Sequence, residues 1–178
     1  MVLPTAYFTA SYLRTIVCVN LISLDIASGT LTVTDDTQAT AICRYLAKNH
    51  VLTLCTAAEN DLWCASCFYV FDPQQMAFII MSEAHTRHAE LALMNAQVAG
   101  TVAAQTKDIA LIQGVQFRGQ LKLLEGGKAA MAREQYIKRF PVAKLASAPV
   151  WILTLDHLKM TDNKLGFGKK LYWQRKTD

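Results

Sequence analysis

The stretch His85-Thr86-Arg87-His88 places up to three cationic groups within four residues. It follows a strand-like apolar run and opens a helical pattern, so these groups crowd a helix N-terminus. The helix dipole favours negative charge at that end. An anion there reverses the sign of the problem, because unpaired backbone N–H groups and a guanidinium together make a phosphate site. The other reading is a solvated basic turn, at a cost of about a few tenths of a kcal/mol. A metal held by His85 and His88 lacks a third ligand, so no metal site is expected. Gly166-Phe167-Gly168-Lys169-Lys170 reads as a second phosphate or substrate contact, since glycines admit close backbone approach, or as an ordinary solvated hairpin. Cys64-Ala65-Ser66-Cys67 matches the C-x-x-C of redox and zinc sites. In a strand, however, residues three apart face opposite sides, and no helix N-terminus is present to activate a thiol. Both are read as buried structural cysteines. Nucleophile triads, a Walker loop and a dinucleotide fingerprint are absent, and no catalytic residue is assigned.

The chain that must position these groups has 178 residues, enough for one domain. Its net charge is +4, from 18 basic and 14 acidic residues, with no run of like charge. That is too sparse a basic surface for nucleic-acid binding. Apolar residues make up 52% and charged ones 18%, below the usual level of about 25%. Such a chain buries surface heavily, in its own core or against a second copy. No apolar stretch is long enough to span a membrane, and no signal peptide is read. Five cysteines without framework spacing suit a reducing, cytoplasmic setting.

Residues 1–34 show no sustained period and read either as an N-terminal arm outside the main fold or as sequence upstream of a start near Val33. Residues 35–178 carry the domain. Asp35, Asp36 and Thr37 are good N-caps for a helix to about Asn49, with Ala39, Ile42, Tyr45 and Leu46 on one face. Strands are predicted over 51–56, 62–71, 76–82 and 98–104. The 62–71 run is so apolar that both of its faces should be covered. A helix is predicted over 86–95. Residues 109–125 alternate, with Val115, Phe117, Leu121 and Leu123 inward, and Gly114 and Gly119 mark bends. A helix over 128–140 stops at Pro141, and a last core strand covers 150–155. Strands in succession with two to three flanking helices give an α+β chain built on an antiparallel barrel.

This order of elements resembles the flavin-binding split barrels typified by pyridoxamine-phosphate oxidase and, more narrowly, the small bacterial YhbP proteins. The matching stretches are Arg44-Tyr45-Leu46-Ala47-Lys48, Leu62-Trp63-Cys64-Ala65, Thr86-Arg87-His88-Ala89 and Val98-Ala99-Gly100-Thr101-Val102. They continue with Gly114-Val115-Gln116-Phe117, Arg139-Phe140-Pro141-Val142-Ala143, Thr161-Asp162-Asn163 and Leu165-Gly166-Phe167-Gly168-Lys169-Lys170. The resemblance implies a split barrel whose homodimer holds FMN at its interface. It implies phosphate contacts from the segment of Met81, Ser82, Thr86, Arg87 and His88, with His88 where the wider family has lysine. It further implies backbone contacts to the flavin from Ala65, Ser66, Cys67 and Phe68, and a contact from Lys169 of the other subunit.

Departures from the wider family are equally specific. Gly114 stands for a glutamine near the flavin ring and Thr161 for a tryptophan, and the residues that recognise a pyridoxal substrate have no counterparts. Vitamin B6 synthesis is not supported. The resemblance implies a flavin-dependent oxidoreductase of unknown substrate. The alternative is a non-catalytic sensor or carrier of flavin, haem or another anionic ligand.

Overall fold

The computed structural model describes residues 35–176, so both readings of residues 1–34 lie outside the described residues. In chain order the elements are α1 (Asp35–Lys48), β1 (Val51–Ala58), β2 (Asp61–Asp72), β3 (Ala77–Met81), α2 (Arg87–Met94) and β4 (Gln97–Ala103). After them come β5 (Gln113–Leu123), α3 (Gly126–Arg139), β6 (Val150–Asp162) and β7 (Lys170–Gln174). Short 3₁₀ turns occupy Ile109–Leu111, Pro141–Leu145 and Asn163–Leu165.

The seven strands run β3-β2-β1-β4-β5-β6-β7, and a further β3–β6 pairing closes six of them into a ring. All pairs are antiparallel. The start of β6 pairs with β3 and its far end pairs with β7. One long strand thus leaves the ring for a second partner, which is the split of a split barrel.

Local chemistry explains the turns. Glu59 and Asn60 both have positive φ, 48° and 65°, the two-residue loop whose twist suits a tight hairpin between β1 and β2. At Gly119 the β5–β6 register shifts, and a Cβ there would run into the Thr154 carbonyl. The bend expected at Gly119 is present. Pro141 ends α3 as expected and begins the next turn.

The core joins Ile42, Tyr45 and Leu46 of α1 to the ring interior around Tyr69, Phe78, Phe117 and Trp151. The Phe78 ring lies 4.5 Å from that of Tyr69 and 5.3 Å from that of Phe117. Ala89 and Ala92 bring α2 onto the same core. A second cluster of Ile79, Ala132, Tyr136 and Val150 seats α3 outside β3 and β6.

Three expectations differ from the structure. β6 continues through Asp162, because His157 and Lys159 alternate with buried Leu158 and Met160. Residues 109–111 form a 3₁₀ turn capped by the Asp108 carboxylate, and β5 begins only at Gln113. The outer face of β2 is uncovered, with Leu62 67% and Phe68 54% exposed. The run is apolar on both faces, but only one meets this chain's own core.

Candidate functional site

The site begins where β3 stops covering β2. β3 pairs with β2 only over Tyr69–Asp72, its last partner there being Ile80 opposite Tyr69. Over Asp61–Phe68, β2 therefore has a strand neighbour on one side only, β1. The Tyr69 N–H donates to the His50 carbonyl at 3.0 Å, which fixes the phase of the ladder. Odd-numbered β2 residues bond to β1, and even-numbered ones turn their main-chain groups to the open side. Of the four residues expected to offer backbone contacts, Ser66 and Phe68 face the open edge. Ala65 and Cys67 are spent on Leu54 and Leu52 of β1, a correction that follows from strand alternation. The Phe68 carbonyl also accepts from the Tyr136 hydroxyl at 3.4 Å.

Beside this edge the chain leaves β3 and enters α2. Ser82 is fixed by its own backbone: its N–H donates to the Pro149 carbonyl at 3.2 Å, and its carbonyl accepts from the Trp151 indole at 2.9 Å. The Ser82 hydroxyl lies 2.7 Å from His88 Nε2 and 3.3 Å from the Thr86 hydroxyl, which is 3.2 Å from the same nitrogen. Thr86 occupies the N-cap position of α2, but its side chain does not cap the helix; it donates to the Glu83 carbonyl at 2.8 Å. The first N–H groups of α2 are thus left without a side-chain acceptor. Burial lowers the pKa of His88 below the usual imidazole value, so the ring is neutral near pH 7.

Arg87 sits at the other end of the segment. Its Nε and Nη2 donate to the two Asp61 oxygens at 3.1 and 2.8 Å, and its guanidinium carbon lies 4.8 Å from the centre of the Trp63 ring. The hydrogen bond from Arg87 holds the Asp61 carboxyl below its ordinary pKa. Nη1 has no hydrogen-bond partner among the described residues, which leaves one edge of the guanidinium for a second acceptor. Neither Asp61 nor Trp63 stood out in the sequence. The pairing spans 26 residues, and it forms where α2 packs against β1 and β2.

The remaining expected residues divide. Met81 faces the α3 cluster, so its side chain is packing. The Cys67 thiol is buried in the core and pushed up to about 11 by burial, which leaves it no part in a surface site. Cys64, expected to be buried, is exposed and lies 2.9 Å, sulfur to sulfur, from Cys55. The hairpin loop length fixes that register and was the signal for it. Lys169 is exposed, and its carbonyl accepts from the Asp162 N–H at the end of β6. Ser82 is bound at the start of the same 13-residue strand. One chain does not bring Lys169 to the α2 cluster.

A separate open cavity of about 810 Å³ lies between the ends of β4 and β5, lined by Lys107, Gln113, Gly114, Gln116 and Thr161 among others. Gly114 and Thr161 are register partners. The two departures singled out in the sequence are therefore one feature, a pair of small side chains opening one cleft. The Tyr45 hydroxyl ties its rims together, donating to the Gln113 carbonyl at 2.8 Å and accepting from the Ala104 N–H at 3.0 Å.

The chain is 60% identical over 134 residues to a UPF0306 protein of Yersinia pestis, an alignment covering 75% of this chain and 91% of that protein. It belongs to the UPF0306 family. No family model matches the sequence. The split-barrel fold of this UPF0306 chain is shared with several solved structures. A heme binding protein from Mycobacterium smegmatis superimposes with a TM-score of 0.66 at 20% identity, covering 77% of this chain and 57% of that one. The UPF0306 chain thus spans little more than half the length of that neighbour. A FAD-binding protein from Mesorhizobium loti gives 0.58 at 13% identity, over 68% and 90% of the two chains. A candidate pyridoxamine 5'-phosphate oxidase from Listeria innocua gives 0.57 at 11% identity, over 68% and 96%. Among the described residues no helix is long and apolar enough to cross a membrane.

Proposed function

We propose that this UPF0306 chain binds FMN and acts as a flavin-dependent oxidoreductase, as a homodimer with the flavin at the subunit interface. The observation that carries the reading is the uncapped N-terminus of α2, where the Ser82 and Thr86 hydroxyls meet His88 and Arg87 is the first helical residue, its guanidinium held on Asp61. These groups fit a phosphate. The Ser82 hydroxyl donates to its oxygens, the first N–H groups of α2 meet its charge, and Nη1 of Arg87 adds a charge-assisted bond. A neutral His88 contributes a hydrogen bond but no charge, and Asp61 competes for the guanidinium. The grip is therefore moderate.

The open edge of β2 supplies main-chain groups of Ser66 and Phe68 to a planar polar ring laid along it. Bound there, FMN would supply the hydride or single-electron transfer. The main-chain groups of Ser66 and Phe68 would orient the ring. Lys169 reaches the phosphate end only from a second copy, which ties the reading to a dimer. The exposed apolar face of Leu62 and Phe68 is surface that such a partner would cover. The cleft at Gly114 and Thr161 has room for a substrate.

A second reading, a non-catalytic haem carrier, draws on the heme binding protein among the structural neighbours and on exposed His85. Titration of the purified protein with FMN, followed by flavin fluorescence, tests the first reading. Saturation near one flavin per subunit, weakened in Arg87→Ala, supports it. No binding, or equal binding by the variant, removes the phosphate assignment. Haem uptake with a Soret band that is lost in His85→Ala selects the second reading.

A further inference from the structure

Cys55 and Cys64 face each other across the β1–β2 hairpin as direct register partners. The phase fixed by the His50–Tyr69 bond places them at a non-hydrogen-bonded pair, the closer of the two kinds, with Cα atoms about 4.5 Å apart in such ladders. That spacing falls within the range a disulfide accepts, about 4.4–6.8 Å. The two sulfurs lie 2.9 Å apart, so closing to a bond of about 2.05 Å needs less than about 1 Å of movement. Cys43 lies beside the Met76 sulfur at 3.6 Å, and Cys67 is in the core.

We infer that Cys55 and Cys64 form a redox-active dithiol, a site of reversible disulfide exchange with low-molecular-weight disulfides such as oxidised glutathione. The two members differ in role. Cys64 is exposed and meets the oxidant; Cys55 is half-buried. Burial and the hydrogen bond with Cys64 push Cys55 up to about 11, which keeps it protonated until its turn. The Cys64 thiolate attacks one sulfur of the oxidant, whose S–S bond breaks and releases one thiolate that takes a proton from solvent. Cys55 then gives its proton to solvent and attacks the Cys64 sulfur, expelling the second thiolate. Two protein thiols and one disulfide become one intrachain disulfide and two small thiols, a two-electron exchange with nothing left over. The step uses no flavin, but Cys64 shares the outward face of β2 with Leu62 and Phe68, so it takes place on chains whose face is not covered by the partner proposed above.

The test is intact-mass and peptide analysis of the full chain after treatment with oxidised glutathione and alkylation of the remaining thiols. The expected product has lost two hydrogens, carries no glutathione, yields a linked Cys55–Cys64 peptide and reverts with dithiothreitol. Cys55→Ser should instead retain one glutathione on Cys64, because the resolving thiol is gone, and Cys64→Ser should leave Cys55 free. Wild-type protein that keeps both thiols alkylatable, or holds glutathione stably on Cys64, overturns the inference. So does a Cys55→Ser variant that behaves like the wild type.

Discussion

The two halves of β2 belong to one strand and do different work. Over Tyr69–Asp72, the half paired with β3, Tyr69 is buried and donates to the His50 carbonyl, and the Asp72 carboxylate closes the next turn through the N–H groups of Gln74 and Gln75. Over Asp61–Phe68 it pairs with β1 alone, exposes apolar side chains, carries Trp63 and Cys64, and lies beside Arg87 and Cys55. The lesson is that fold stability and site chemistry separate along a single strand at the point where β3 ends. Substitutions in the paired half should cost stability. Those along the open half should change binding or redox chemistry and leave unfolding nearly unchanged.

The largest effect should come from Phe78→Ala, which empties the aromatic cluster facing the paired half and should cost about 3–5 kcal/mol in denaturant unfolding. A cost below about 1 kcal/mol would break the comparison at its firm end. Gly119→Ala forces a methyl group against the Thr154 carbonyl and should cost about 1–3 kcal/mol, read from the shift in midpoint at constant slope. On the open side, Arg87→Ala should weaken FMN binding by about tenfold or more, the effect of losing a hydrogen bond to a charged group, with little change in melting temperature. Asp61→Asn removes the competing carboxylate and should tighten FMN binding by a smaller factor, measured in the same titration.

The gentlest prediction concerns pH. The folded-state pKa of His88 lies below its unfolded value near 6.5 because burial disfavours the charged ring. Between those two values the unfolded chain binds more protons, so stability should fall as pH drops from about 6.5 through the lowered folded value. Melting temperature against pH should show that slope in the wild type and a flatter one in His88→Gln. Equal slopes would mean that His88 is not the group responsible.

Legibility followed the range of the interactions. The helical spacing of Ile42, Tyr45 and Leu46, the alternation in β5 and the stop at Pro141 are local patterns, and each is present. The far end of β6 was missed because polar residues dilute its alternation. The crowding of Ser82, Thr86 and His88 at the start of α2 was legible because all three lie within seven residues of chain. That Arg87 is already held by Asp61 was not, since a turn and a strand must form before the two meet. The burial of Cys67 and the exposure of Cys64 follow from alternation alone. The pairing of Cys64 with Cys55 needed the loop length as well.

The central claim is that the α2 N-terminus and the open edge of β2 hold a flavin. The absorption spectrum of freshly purified protein, repeated after adding FMN and dialysing it away, tests that claim most directly. The proposal predicts flavin bands retained at about one equivalent per subunit. Protein that stays colourless and gives up all added FMN would contradict it.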